Sequence, residues 1–145
     1  MEIKYSAFIG LLALLTIAMA STSDTQESTD EVECLPNGML VQDIEVLVIP
    51  VLNGQPSMLP PNIGLTDTCT NPLHTRDDSS LVHFEGANGR EYYLGDLFDL
   101  WGAENPYTGI PLESISVNGK RFNGGLGELK LEEGLRIVVA FREEM

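Results

Sequence analysis

Twice in this chain a β-branched run is followed by Asn-Gly, and few short patterns constrain a backbone more. Ile44, Val46, Val48 and Ile49 precede Asn53-Gly54, and Ile115 and Val117 precede Asn118-Gly119. Asn-Gly tolerates the positive φ angles that a type I′ hairpin turn demands. The first run predicts a buried strand over 44–49 and a return strand over 57–59, ended by Pro60-Pro61. Pro50 lacks the N–H of a ladder donor, so an edge position or a bulge is expected there. The second run predicts strands over 114–117 and 120–122. A further strand is expected over 136–141, behind the Glu133-Gly134 turn.

Between these hairpins the pattern changes. Residues 64–80 are rich in Thr, Asp, Asn, Pro and Ser without periodicity, which predicts a long loop held at Cys69; long loops in small domains are where sites are found. Residues 81–85 and 90–94 look like a second hairpin across Gly86-Ala87-Asn88-Gly89. Leu94, Leu97, Phe98 and Trp101 then recur at three- and four-residue spacing, with Asp96 in the first turn and Gly102 as the stop, which predicts a short helix with a core-facing stripe. Strand, strand, short helix, strand, strand after residue 80 predicts an α+β fold: a small mixed or antiparallel sheet crossed by one helix, β-grasp-like. A β-sandwich is the alternative.

Lys4 precedes a largely apolar run over 7–20 that ends in Ala18-Met19-Ala20. At about 14 residues the run is shorter than the roughly 20 needed to span a bilayer, and its end has the small-x-small pattern of a cleavage site, so residues 1–20 read as a signal peptide. An uncleaved anchor is the other reading. Residues 21–33 hold almost nothing apolar and read as an acidic disordered tether. Residues 34–145 then make a single α+β domain, with no internal repeat. The formal charge of −14, from 22 acidic and 8 basic residues, disfavours nucleic acid and anionic membrane surfaces, both of which are bound through Lys and Arg. Any membrane contact is expected only through an uncleaved first segment.

Cys34 and Cys69 are the two cysteines of the chain. Export would put them where thiols oxidise, so a disulfide is expected. The competing reading is a free Cys69 thiolate acting as metal ligand. The two histidines, His74 and His83, bracket the stretch that holds Arg76, Asp77 and Asp78. On a strand, His83 and Glu85 would share a face. Together with Cys69, if it is not bridged, His74, His83 and Glu85 form a candidate metal site, with zinc or copper as the candidate ions. The bland reading is that His74 pins the loop and His83 is a half-buried strand residue. Cys69 and the histidines match no standard zinc module in spacing.

The stretches Cys69-Thr70-Asn71-Pro72-Leu73-His74-Thr75-Arg76-Asp77, Val82-His83-Phe84-Glu85 and Leu94-Gly95-Asp96-Leu97-Phe98-Asp99-Leu100-Trp101-Gly102 resemble a family of uncharacterised secreted prokaryotic proteins, over most of residues 34–141. Its pattern runs Cys, four residues, His-Thr-His-Asp; then Ile-His-x-Glu; then Leu-Gly-Asp-Phe-Phe-x-x-Trp-Gly; a His-x-His pair often precedes the first strand. The resemblance implies a metal site and brings no established activity. This chain departs from the pattern at Arg76, in place of the second loop histidine, and at Asp43 and Glu45, roughly where the His-x-His pair would stand.

No Gly-x-Ser-x-Gly elbow, phosphate-binding glycine loop or His-Glu-x-x-His helix is present, and Gly124-Gly125-Leu126-Gly127 lies between strands as a flexible loop. A Cys69/His74 nucleophile pair competes with the disulfide. The sequence therefore predicts a secreted or extracytoplasmic, non-catalytic binding or interaction module, with a divalent metal ion or an envelope protein as partner. A structural or adhesive envelope domain is the second reading, and a hydrolase or redox enzyme the third.

Overall fold

The structure, a computed structural model, describes residues 34–35, 43–85 and 90–145, with the backbone alone at Glu85. The expected signal segment, the tether and the 86–89 turn lie outside the described residues. The strands are β1 (Asp43–Leu52), β2 (Gln55–Pro56), β3 (Leu73–Thr75), β4 (Leu81–Glu85), β5 (Leu112–Val117), β6 (Lys120–Phe122) and β7 (Arg136–Phe141), and the helix is α1 (Leu94–Trp101).

All seven strands join one sheet in the order β3-β4-β1-β7-β5-β6, with β2 folding back on β1. β1 and β7 run parallel at its centre, and the flanking pairs are antiparallel. Disregarding the short β2 and β3, the order is that of a β-grasp domain, the fold expected. The sandwich alternative fails because the described strands form one sheet with a helix across its face, rather than two sheets packed together. The helix closes that face with Leu94, Leu97 and Phe98, against Val46, Val48, Val82, Ile115, Ile137, Val139 and Phe141. The ring of Phe98 lies 5.6 Å from that of Phe141, and Tyr107 stacks on Phe141 at 4.7 Å. At the helix start the Asp96 carboxylate accepts the Tyr93 N–H at 2.8 Å, and Gly102 turns the chain away at φ +65°.

Both Asn-Gly turns form as expected, with φ of +50° and +82° at Asn53-Gly54 and +51° and +81° at Asn118-Gly119. Pro50, however, stands inside the central strand rather than at an edge. The odd-numbered residues of β1 donate toward β7, as Leu47 N–H does to Leu135 and Asn53 N–H to Phe141. Position 50 therefore faces the other neighbour, where β4 has already ended opposite Leu47. Its carbonyl takes the Ser57 N–H at 2.9 Å, and no ladder donor is missing.

Three further expectations are corrected. The return strand is Gln55–Pro56 and not 57–59, because the chain leaves the ladder and buries Leu59 completely. Residues 64–80 are not a structureless loop: Leu73–Thr75 pairs with β4 as an edge strand. Residues 90–94 do not pair back on β4; they run beside 129–131, through Leu94 N–H to Leu129 and Leu131 N–H to Tyr92, and the Lys130 ammonium meets Glu91 at 2.8 Å. The Gly124–Gly127 stretch tightens into a 3-10 turn at Leu126–Glu128.

Candidate functional site

Strand alternation sorts the site. Val46 and Val48 of β1, Val82 and Phe84 of β4, and Leu73 and Thr75 of β3 occupy one set of positions, buried in the core or next to it. The intervening residues, Asp43 and Glu45, His83 and His74, therefore share the other face of the sheet. Register aligns them, since Glu45 lies opposite His83 and His83 opposite His74. The row Glu45, His83, His74 thus crosses three adjacent strands, with Asp43 two residues from Glu45 on the same strand.

Both histidines are buried, His74 at 2% and His83 at 5% exposure, although they point away from the main core. The loop before β3 supplies part of the cover. Asn62 N–H and Ile63 carbonyl pair with Thr75 along the outer edge of β3, and Gly64, at φ +75°, packs so closely that a Cβ there would fall 2.4 Å from the Leu73 carbonyl and 3.3 Å from the His74 Cβ. Only glycine fits at that distance and that φ. The two imidazoles stack, with centroids 5.8 Å apart and planes inclined by 22°.

His74 donates from Nδ1 to the Asn71 carbonyl at 2.8 Å, an arrangement that fixes the ring and its tautomer. The Nδ1 of His83 lies 3.1 Å from Asp43 Oδ1 and 3.6 Å from Glu45 Oε1, while Asp43 Oδ2 faces Arg76 Nη1 at 3.3 Å. The carboxylates and the guanidinium are 36–50% exposed as side chains, so a buried imidazole is overlain by charged groups that reach water. Just beyond, the Ser79 hydroxyl and N–H both donate to Asp77 and hold its carboxyl below the usual range.

Ligand atoms of Asp43, Glu45 and His83 lie within 4.8 Å of one another. Neighbouring ligands about an ion with bonds of about 2.1 Å sit roughly 2.9–3.5 Å apart, close to the two imidazole–carboxylate separations here. Such an ion would require His83 to carry its proton on Nε2, freeing the Nδ1 lone pair.

The expected ligand set is redrawn accordingly. Cys69 is bonded to Cys34, with Cα atoms 5.1 Å apart, so it offers no thiolate, either as ligand or as nucleophile. His74 stacks beside the cluster without belonging to it. Glu85 lies opposite Asp43 in the β1–β4 register, and its side chain is outside the described residues. Asp43 and Glu45 were visible in the sequence only as departures from a histidine pattern. The signal that could have found them is two carboxylates at alternate positions on a strand that must pair with the histidine strand.

A separate pocket of about 320 Å³ lies between the 60–71 loop and the end of α1, walled by Pro60, Pro61, Leu65, Leu100, Trp101 and Glu104. It contains none of the cluster residues. Among the described residues no helix is long and apolar enough to cross a membrane. Comparison of the chain with protein-family profiles, with curated proteins and with solved structures returns no match.

Proposed function

We propose that this protein is a secreted, non-catalytic binding module that holds a divalent metal ion on the open face of its sheet, between Asp43, Glu45 and His83. The observation that carries this reading is the convergence of one imidazole nitrogen and two carboxylates from two neighbouring strands. The His74 carbonyl bond and the stacked rings give His83 a rigid backing, as a ligand needs. Mixed imidazole and carboxylate donors suit zinc, copper or manganese. Export is inferred from the 7–20 run and agrees with the Cys34–Cys69 bridge, which persists in an oxidising space. Membership of the secreted family whose motifs this chain resembles is part of the same proposal.

Elemental analysis of untagged protein, prepared without chelators and loaded with zinc, tests it. About one ion per chain is expected, and none in His83→Gln. An ion count that is the same with and without His83, or no bound ion at all, refutes the site.

A second reading is a structural or adhesive envelope domain. It is favoured by the internal partners that the site residues already have: Asp43 with Arg76, His83 with Asp43, His74 with Asn71. On that reading His83→Gln lowers the melting temperature equally with and without zinc.

A further inference from the structure

The cluster already faces one cation. Arg76 Nη1 approaches Asp43 Oδ2 at 3.3 Å, while the other oxygen of the same carboxylate faces His83. The backbone around Arg76 is held on both sides. Thr75, just before it, pairs with β4 and exchanges hydrogen bonds with 62–63. After it, Asp77 caps the Ser79 N–H at 3.0 Å, and Ser80 takes the Val48 N–H through its carbonyl and the Leu59 N–H through its hydroxyl. The side chain, by contrast, is 44% exposed, so the guanidinium can swing into water while its backbone stays in place.

We propose that Arg76 is the built-in counter-cation of the Asp43–Glu45–His83 cluster, and that a divalent metal ion binds by displacing its guanidinium from Asp43. The inference rests on the cation-site reading above and adds how entry to the site is controlled. With a neutral imidazole the three ligands carry two negative charges, and Arg76 cancels one. A monovalent ion brings no more charge than the guanidinium it must replace, whereas a dication neutralises the set. Both cannot share Asp43 without repulsion, because an ion on Oδ1 would sit only about 4–5 Å from the guanidinium on Oδ2. Arg76 thereby lowers affinity for every cation and makes the site selective for dications of strong imidazole and carboxylate preference over sodium or potassium.

The test is calorimetric titration of the untagged, disulfide-intact full chain with zinc chloride. Arg76→Gln, which removes the charge and leaves a shorter amide side chain, is expected to bind zinc about tenfold more tightly than wild type. Arg76→Lys, which keeps the charge, should stay within about threefold of wild type. Zinc saturation of the wild type should shift the Arg76 side-chain Nε–H resonance in a nitrogen–proton correlation spectrum. If wild type binds zinc through His83 while Arg76→Gln binds equally or more weakly, or the Arg76 resonance does not move, displacement is overturned and the site itself stands. If zinc binds Arg76→Gln but not wild type, and the added His83→Gln change removes it, the guanidinium blocks the cluster instead of yielding to the ion, and displacement is overturned. If neither form binds zinc, the site and the displacement fall together.

Discussion

Replacing both Cys34 and Cys69 by serine tests how much of the stability of this domain comes from its staple. The bridge joins residues 35 positions apart. In the chain-entropy picture, closing a loop of that length removes about 13 cal/mol/K from the unfolded ensemble, or about 3.8 kcal/mol at 25 °C. Native strain at the bridge is not needed to reach that figure. The enclosed loop contains β1, β2 and the 60–68 stretch, so the bridge narrows the search for central strand, return hairpin and cover loop alike. Beside it, Leu35 N–H donates to the Thr70 carbonyl at 2.7 Å, a bond that depends on the bridge to keep 34–35 in place. Urea unfolding followed by the fluorescence of Trp101, the single tryptophan of the chain, reads the loss directly, with the oxidised wild type as reference. Between about 2.5 and 4 kcal/mol should disappear. A loss below about 1 kcal/mol at an unchanged m-value would refute the entropic argument and leave the bridge as a local clip.

Two more perturbations follow from packing and charge. Gly64→Ala adds a Cβ 2.4 Å from the Leu73 carbonyl at a φ of +75°, and should cost about 2 kcal/mol or more in urea unfolding while disturbing the imidazole resonances of His74; a change under about 0.5 kcal/mol would show that the loop backs away freely. Lys130 holds the Glu91 carboxyl below its usual range, and Glu91 in turn raises Lys130. A carboxyl depressed in the folded state contributes stability that is present above its unfolded value of about 4.3 and is lost as pH falls through the lower folded value. The advantage of wild type over Lys130→Gln in thermal melts should therefore be flat from about pH 5 to 9 and shrink below about pH 4. An advantage that grows in acid would contradict the pairing.

The parts of this fold that depend on local chemistry could be read directly from the sequence. The Asn-Gly turns set their own φ angles, the 136–141 run is apolar enough to be central, and the stripe of Leu94, Leu97 and Phe98 has helical spacing. What could not be read depends on distant partners. Arg90 to Leu94 has a strand-like composition, yet its backbone partners are at 129–131, a pairing no local pattern announces. His74 is a loop residue by composition and becomes a strand residue only because β4 offers an edge. The candidate site was half legible for the same reason. His83 stands out as one of two histidines, but Asp43 and Glu45 are two among 22 acidic residues, and only the β1–β4 register makes them its neighbours.

The parallel pairing of Leu47–Leu52 with Arg136–Phe141 joins stretches 89 residues apart in sequence (136 − 47 = 89). A polypeptide made from its amino terminus has β1 ahead of the other described strands and has all of those strands but its partner before that partner arrives. Until then β1 presents one bare flank, and proteolytic clipping that removes the last ten residues would take out the middle of the sheet rather than its margin. Completion of the sheet thus waits on residues 136–141, since the described strands on either side of the β1–β7 pair have no other link across its centre.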